Sequence, residues 1–162
     1  VVKLKGRDTI FSHDSDEWET PDDLYKGLDD LFHFTLDPCA TYENTKCEKY
    51  LTKQQDGLSV PWRGETVFVN PPYSEVEKWI VKAYTEAISG YANVVMLLPV
   101  RTSNPWFHEY ILPYSSIYFI RGRLKFKGAQ YDAPFPSMVV HFTGFREYIH
   151  SMDRQGNIIR FK

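Results

Sequence analysis

The sequence predicts an α/β fold: a mostly parallel central sheet with helices on both faces and an antiparallel C-terminal edge. Three observations carry this. Two strand-like runs, "TVFV" at 66–69 and "NVVMLLPV" at 93–100, alternate with segments whose apolar residues recur at helical spacing. The second run is apolar throughout, as in a strand covered on both faces. Prolines stand at the predicted strand ends, Pro38 directly after Asp37 and Pro71–Pro72 one residue past Val69, where they would stop a ladder and fix a loop.

In chain order, residues 1–20 are polar and read as an N-terminal arm; 21–162 read as a single domain with no separate target-recognition unit. Thr20 as N-cap, Pro21 at the first helical position and the acids Asp22 and Asp23 predict a helix over 21–32 with Leu24, Leu28 and Leu31 inward. The alternation of Phe32, Phe34 and Leu36 predicts a short strand ending at Asp37. Residues 39–57 show no period and read as loop with short local structure. After the strand at 66–69, Ser74 and Glu77 form a capping-box pattern for a helix with Val76, Trp79, Ile80, Ala83 and Ala87 buried and Gly90 at its end. Residues 106–112 predict a short helix. "SSIYFIRGRLKFKG" predicts a strand running into a second extended segment past Gly122, "SMVVHF" at 137–142 the last clear strand, and "GNIIRF" an added edge.

A chain of 162 residues can bury one substantial core. No apolar run approaches the ~20 residues of a membrane span, and nothing reads as a signal peptide. Cys39 and Cys47 are the only cysteines, too few for a disulfide framework or a convincing metal site, so a reducing, cytoplasmic setting is expected. Charge is unevenly placed. Residues 1–56 carry 13 of the 21 acids and 7 of the 19 bases, so the front is acidic and the back basic, as suits a protein meeting a polyanion on one side.

The chemistry centres on "VNPPYS". Two prolines after Asn70 hold the carbonyls of Asn70 and Pro71 in a rigid loop beyond the strand. Parallel sheets bind ligands there, past the carboxyl ends of their strands. Besides a stiff turn, the loop offers two fixed acceptors, the Asn70 side-chain oxygen and the Pro71 carbonyl. They could take both hydrogens of a planar amine such as that of adenine, directing its lone pair at an electrophile. Tyr73 would give a stacking face to an extruded base. No neighbouring base is required, because the amine becomes acidic only after alkylation.

Asn70-Pro71-Pro72-Tyr73 resembles the catalytic motif of S-adenosylmethionine-dependent amino-methyltransferases. The ordered set "DEWETPDDLY", "FTLDPCAT", "DGL", "FVNPPYS", "LLPVRT", "RGRLKFKG" and "APFPS", spanning roughly 16–142, is similar to the phage-type DNA adenine methyltransferase (Dam) family. The resemblance implies a Rossmann-like class I methyltransferase fold, S-adenosylmethionine as cofactor and methylation of a flipped adenine in duplex DNA, in the cytoplasm of a bacterial host if phage-encoded. It makes Asn70, Pro71, Pro72 and Tyr73 catalytic. It gives the cofactor to Trp18, Thr20 and Pro21, to Asp37, Pro38, Cys39 and Ala40 (where the usual glycine-rich motif is absent), to Asn44 or its neighbour Glu43, and to Asp56. A homodimer is a further candidate assembly, since a second subunit could supply target reading.

Arg121, Arg123, Lys125 and Lys127 alternate with Gly122, Leu124 and Phe126, so at period two the cations share one face. A phosphate backbone is their natural counter-charge; a solvated edge strand is the plainer reading. The family resemblance adds Phe126 as an aromatic near the base, and Arg101 falls at the ligand end of the sheet. RNA adenine and protein glutamine methylation are the rival activities, since each presents the loop with a planar NH2.

Overall fold

The computed structural model describes residues 18–145 and 148–160. Most of the predicted arm, 1–17, therefore lies outside the described residues. Helix α1 (Asp22–Phe32) buries Leu24 and Leu28 and carries Asp22 and Asp23 in its first turn, but Leu31, expected inward, is exposed. Its N-cap is Pro21, without a side-chain cap, so Thr20 is not the cap the sequence suggested. The helix runs through Phe32 and ends in a left-handed His33 (φ 57), whose N–H donates to the Asp29 carbonyl at 2.8 Å. Strand β1 is thus only Leu36–Asp37. Phe32 and Phe34 are alternating rings of an aromatic cluster with Tyr25 and Phe68 and not strand residues.

Strand β2 (Lys49–Tyr50) lies within the predicted loop, and β3 (Thr66–Val69) is as expected. Pro72 leads into a 3-10 turn at Tyr73–Glu75, closed by the Glu75 N–H on the Pro72 carbonyl. Helix α2 (Val76–Ile88) follows with Glu75 at its N-cap, one residue past the Ser74 that the sequence suggested. The extra turn moves the helix start past Ser74. Then come β4 (Asn93–Pro99), a π-helical turn at Phe107–Ile111, β5 (Ser115–Ile120), β6 (Ser137–Phe142), β7 (Ile149–Met152) and β8 (Ile158–Ile159).

These strands form one sheet in the order β2-β1-β3-β4-β6-β5-β7-β8. Only β6 and β8 run against the rest. The antiparallel element is therefore not confined to the C-terminal edge: β6 sits inside the sheet, between β4 and β5. The protein is a mixed α/β fold, with a central sheet and flanking helices.

Alternate residues of β4 feed two cores. Val94, Met96 and Leu98 meet α2 and the π-helical turn through Trp79, Ile80, Ala83, Phe107 and Ile111. Val95 and Leu97 meet Leu24 and Leu28 of α1, with Leu124, Phe126 and Ala133 covering the same face. Burial on both faces explains the uninterrupted apolar run. The carboxyl ends of β1, β3, β4, β5 and β7 share one edge, and there Asp37, Asn70, Arg101, Arg121 and Asp153 leave the sheet.

Candidate active site

A cleft of about 1090 Å³ opens at that edge, walled by the loops after β1 and β3, the segment 18–20 and the turn at 52–58. The segment 18–22 is fastened over it. The Lys127 N–H donates to the Glu19 carbonyl at 2.9 Å, and Lys46, with its side chain 11% exposed, reaches Asp22 at 2.8 Å and Glu19 at 3.4 Å. The Asp37 and Asn70 loops are stitched together, the Cys39 thiol donating to the Asn70 carbonyl at 3.2 Å. On the other wall the Gly57 backbone lies against Pro38. A Cβ at Gly57 would stand 2.0 Å from the Pro38 carbonyl oxygen, so only glycine lets the 56–58 turn close on the 37–40 loop.

Asn70 is held in one orientation. Its Nδ2 donates to the Trp18 carbonyl and, at 3.0 Å, to Thr20 Oγ1. A carbonyl only accepts, so the NH2 end must face Trp18. Its Oδ1 is buried and unpartnered among the described residues, beside Pro71 in the cleft wall. Trp79 Nε1, in the same wall, is likewise buried without a partner. Orphaned buried polar atoms are costly and uncommon; two in one cleft mark places where a ligand completes the bonding.

Asp37 is buried at the end of β1. Its carboxylate accepts from the Lys46 N–H at 3.3 Å and weakly from the Cys39 N–H at 3.4 Å. Burial outweighs these bonds and the Lys46 charge and raises its pKa to about 6. Burial also pushes the Cys39 thiol well above its usual value, which suits a structural hydrogen-bond donor and not a nucleophile. The Tyr73 ring packs edge-on against Phe135 at 5.3 Å, and its hydroxyl is buried without a partner among the described residues. Burial raises the phenol's pKa, while the nearby Arg101 charge opposes that rise.

A model of the DNA N-6-adenine-methyltransferase (Dam) family matches residues 8–156. The chain belongs to this family. A DNA N-6-adenine-methyltransferase of Haemophilus phage HP1 (strain HP1c1) is 35% identical over 96 residues, 58% of this chain and 56% of the relative. One from Escherichia phage T1 is 33% identical over 96 residues, covering 58% of this chain and 40% of the relative. The chain thus spans about half the length, or less, of these curated relatives. A solved chain described as a modification subunit of a type I restriction enzyme from Vibrio vulnificus YJ016 superposes with a TM-score of 0.52 at 12% identity, over 88% of this chain and 48% of its own. That likeness concerns the fold alone.

Of the residues the sequence singled out for this Dam-family chain, Trp18, Thr20, Asp37, Pro38, Cys39, Ala40, Asn44 and Asp56 line the cleft with Asn70, Pro71 and Pro72. Pro21 and Tyr73 do not: Pro21 caps α1, its carbonyl accepting from the Tyr25 N–H, and the Tyr73 ring turns from the cleft lining to pack on Phe135. Asn44 spends its side-chain oxygen on the Thr41 N–H at 2.6 Å, and Asp56 folds its own turn at φ 51. Phe126 is fully buried against Trp18 and Phe135, so it offers no free face to a base. The basic stretch forms no ladder, yet its alternation survives: Leu124 and Phe126 point in, and Arg121, Arg123, Lys125 and Lys127 are exposed. Lys127 already pairs with Glu19 and Asp22, each at 3.3 Å. Sequence reasoning missed Trp79 and Phe135. Trp79 sits on a helical apolar stripe, and Phe135 was one ring of a quoted motif without an assigned role.

Proposed function

We propose that this chain is a DNA adenine methyltransferase that moves a methyl group from S-adenosylmethionine to the exocyclic amine of an adenine extruded from duplex DNA. The observation that carries the reading is the Asn70 amide in the cleft lining, pinned by its NH2 while its buried Oδ1 has no partner among the described residues.

The residues present fit the cofactor. The cleft is large, and it combines apolar walls at Trp18, Ala40 and Trp79 with the carboxylates of Asp37 and Asp56 and the free Trp79 Nε1. We assign cofactor holding to Trp18, Asp37, Pro38, Cys39, Ala40, Asn44 and Asp56. When bound, the cofactor supplies an electrophilic methyl on a sulfonium. Asn70 Oδ1 accepts one hydrogen of the adenine amine and the Pro71 carbonyl the other, withdrawing the nitrogen lone pair from the ring and aiming it. Pro71 and Pro72 keep both acceptors from relaxing as charge develops on nitrogen. Tyr73 supplies the stacking face, with Phe135 supporting its edge. The parallel strands, with the cleft at their carboxyl ends, support a Rossmann-like class I methyltransferase fold. We read 21–162 as one catalytic domain behind its arm.

Duplex DNA is favoured over a protein amide by the exposed arginines on the same sheet edge, Arg101, Arg121 and Arg123. The test is a labelled-methyl assay with unmethylated duplex DNA, RNA and protein, followed by nucleoside analysis. Label in N6-methyladenine of DNA is expected; label confined to RNA or protein would overturn the reading.

A further inference from the structure

Beyond the cleft, the sheet edge carries a second hollow of about 480 Å³, where the ends of β5 and β7 meet. Arg121 and Arg123 line it after β5, and Arg154 lines it from the β7–β8 turn. None of the three makes an ion pair among the described residues. Arg123 gives one weak hydrogen bond to the Ala133 carbonyl, at 3.4 Å. Two carboxylates share the hollow. Asp153 is committed to its own turn, accepting from the Gln155 and Asn157 N–H groups and from Asn157 Nδ2, each at 2.9 Å. Asp132 pairs with none of the arginines. Three guanidiniums gathered around one space repel each other until an anion joins them, and their forked donors match phosphate oxygens.

The turn that presents Arg154 is firmly seated. Gly156, at φ 82, lies against the backbone of α1, and a Cβ on Gly27 would fall 2.0 Å from the Gln155 carbonyl oxygen. Arg154 is thereby offered from a braced support.

We propose that Arg154, with Arg121 and Arg123, forms a phosphodiester-binding site for the DNA backbone, away from the extruded adenine. The inference rests on the DNA methyltransferase reading and extends it to a place on the duplex. From β3 to β5 is three strand spacings and to β7 four, about 14–19 Å, or about four to six base pairs of axial rise. The contact is therefore to a flanking phosphate and is indifferent to base sequence.

The experiment uses the full chain and compares the wild type with Arg154→Gln, Arg154→Lys and the Arg121→Gln/Arg154→Gln double variant. Duplex affinity is measured by fluorescence anisotropy across a salt series, and S-adenosylmethionine binding by calorimetry serves as the control for folding. The slope of log K against log salt should flatten by about 0.9 in Arg154→Gln and by about 1.8 in the double variant. Arg154→Lys should keep most of the slope, and cofactor affinity should not change. The loss should be equal on unrelated sequences and should disappear on duplexes cut short on the flanking side. A wild type with a measurable slope that Arg154→Gln leaves intact overturns this site while the enzyme reading stands. A wild type that binds no duplex and labels none removes both.

Discussion

The two halves of the sheet's carboxyl edge handle charge in opposite ways. On the β1–β3 side, ionisable and polar groups are buried and individually fastened: Asp37 by backbone N–H groups, Asn70 by Trp18 and Thr20, Cys39 by the Asn70 carbonyl. Beyond β4, β5 and β7, Arg101, Arg121 and Arg154 stand in solvent without ion pairs among the described residues. Buried, oriented dipoles act strongly at short range and are barely screened. Exposed cations act at longer range and fade with salt. The first half can therefore supply chemistry and the second encounter and grip, so lesions in the two should leave different signatures.

The sharpest separation should come from Asn70→Ala. Removing one preorganised acceptor should lower methyl transfer by roughly 10²–10³-fold, about 3–4 kcal/mol of activation free energy. Cofactor affinity by calorimetry should stay near wild type, as should the salt dependence of DNA binding. A variant that kept its turnover would erase the contrast between the halves.

Next in size is a pH effect confined to the buried half. The folded protein holds the Asp37 proton more tightly than the unfolded chain, with a pKa near 6 against the usual 3.8. Asp37 therefore costs the fold nothing below pH 3.8. The penalty grows as pH rises to 6, reaching about 3 kcal/mol in the cofactor-free protein. Asp37→Asn should remove this loss, seen as a flatter plot of urea midpoint against pH. An unchanged plot would mean that Asp37 is better solvated than its surroundings indicate.

Smaller, and specific to orientation, is Thr20→Val. The shape is kept but the oxygen that accepts from Asn70 Nδ2 is lost, so kcat should fall roughly tenfold, about 1–1.5 kcal/mol. The KM for cofactor should hold, and Thr20→Ser should restore the rate. A rise in the cofactor KM with kcat unchanged would make Thr20 a cofactor contact and not a positioning residue.

What the sequence revealed follows the same division. β3, β4 and β6 were legible because burial on both faces leaves an unbroken apolar run. β7, reading "IHSM" and only partly covered, and the two-residue β2 carry no such run, and neither was foreseen. The Asn70 loop was legible because two prolines leave few conformations. Thr20 was misread as a helix cap because a hydroxyl before proline looks the same whether its partner is the next turn or a side chain 50 residues away. Phe126 stands behind the cleft, against Trp18, because alternation in sequence cannot distinguish a ring facing a ligand from one propping a neighbour.

The clasp on Asn70 has a further consequence. Because the Trp18 carbonyl has only lone pairs to offer, the wall around position 70 discriminates between nitrogen and oxygen. An aspartate there, identical in outline, would bring an anionic oxygen against another oxygen and be repelled or forced to rotate. In this molecule the choice of amide over carboxylate at position 70 is imposed from outside the motif, by a stretch of chain that enters the fold fifty residues earlier.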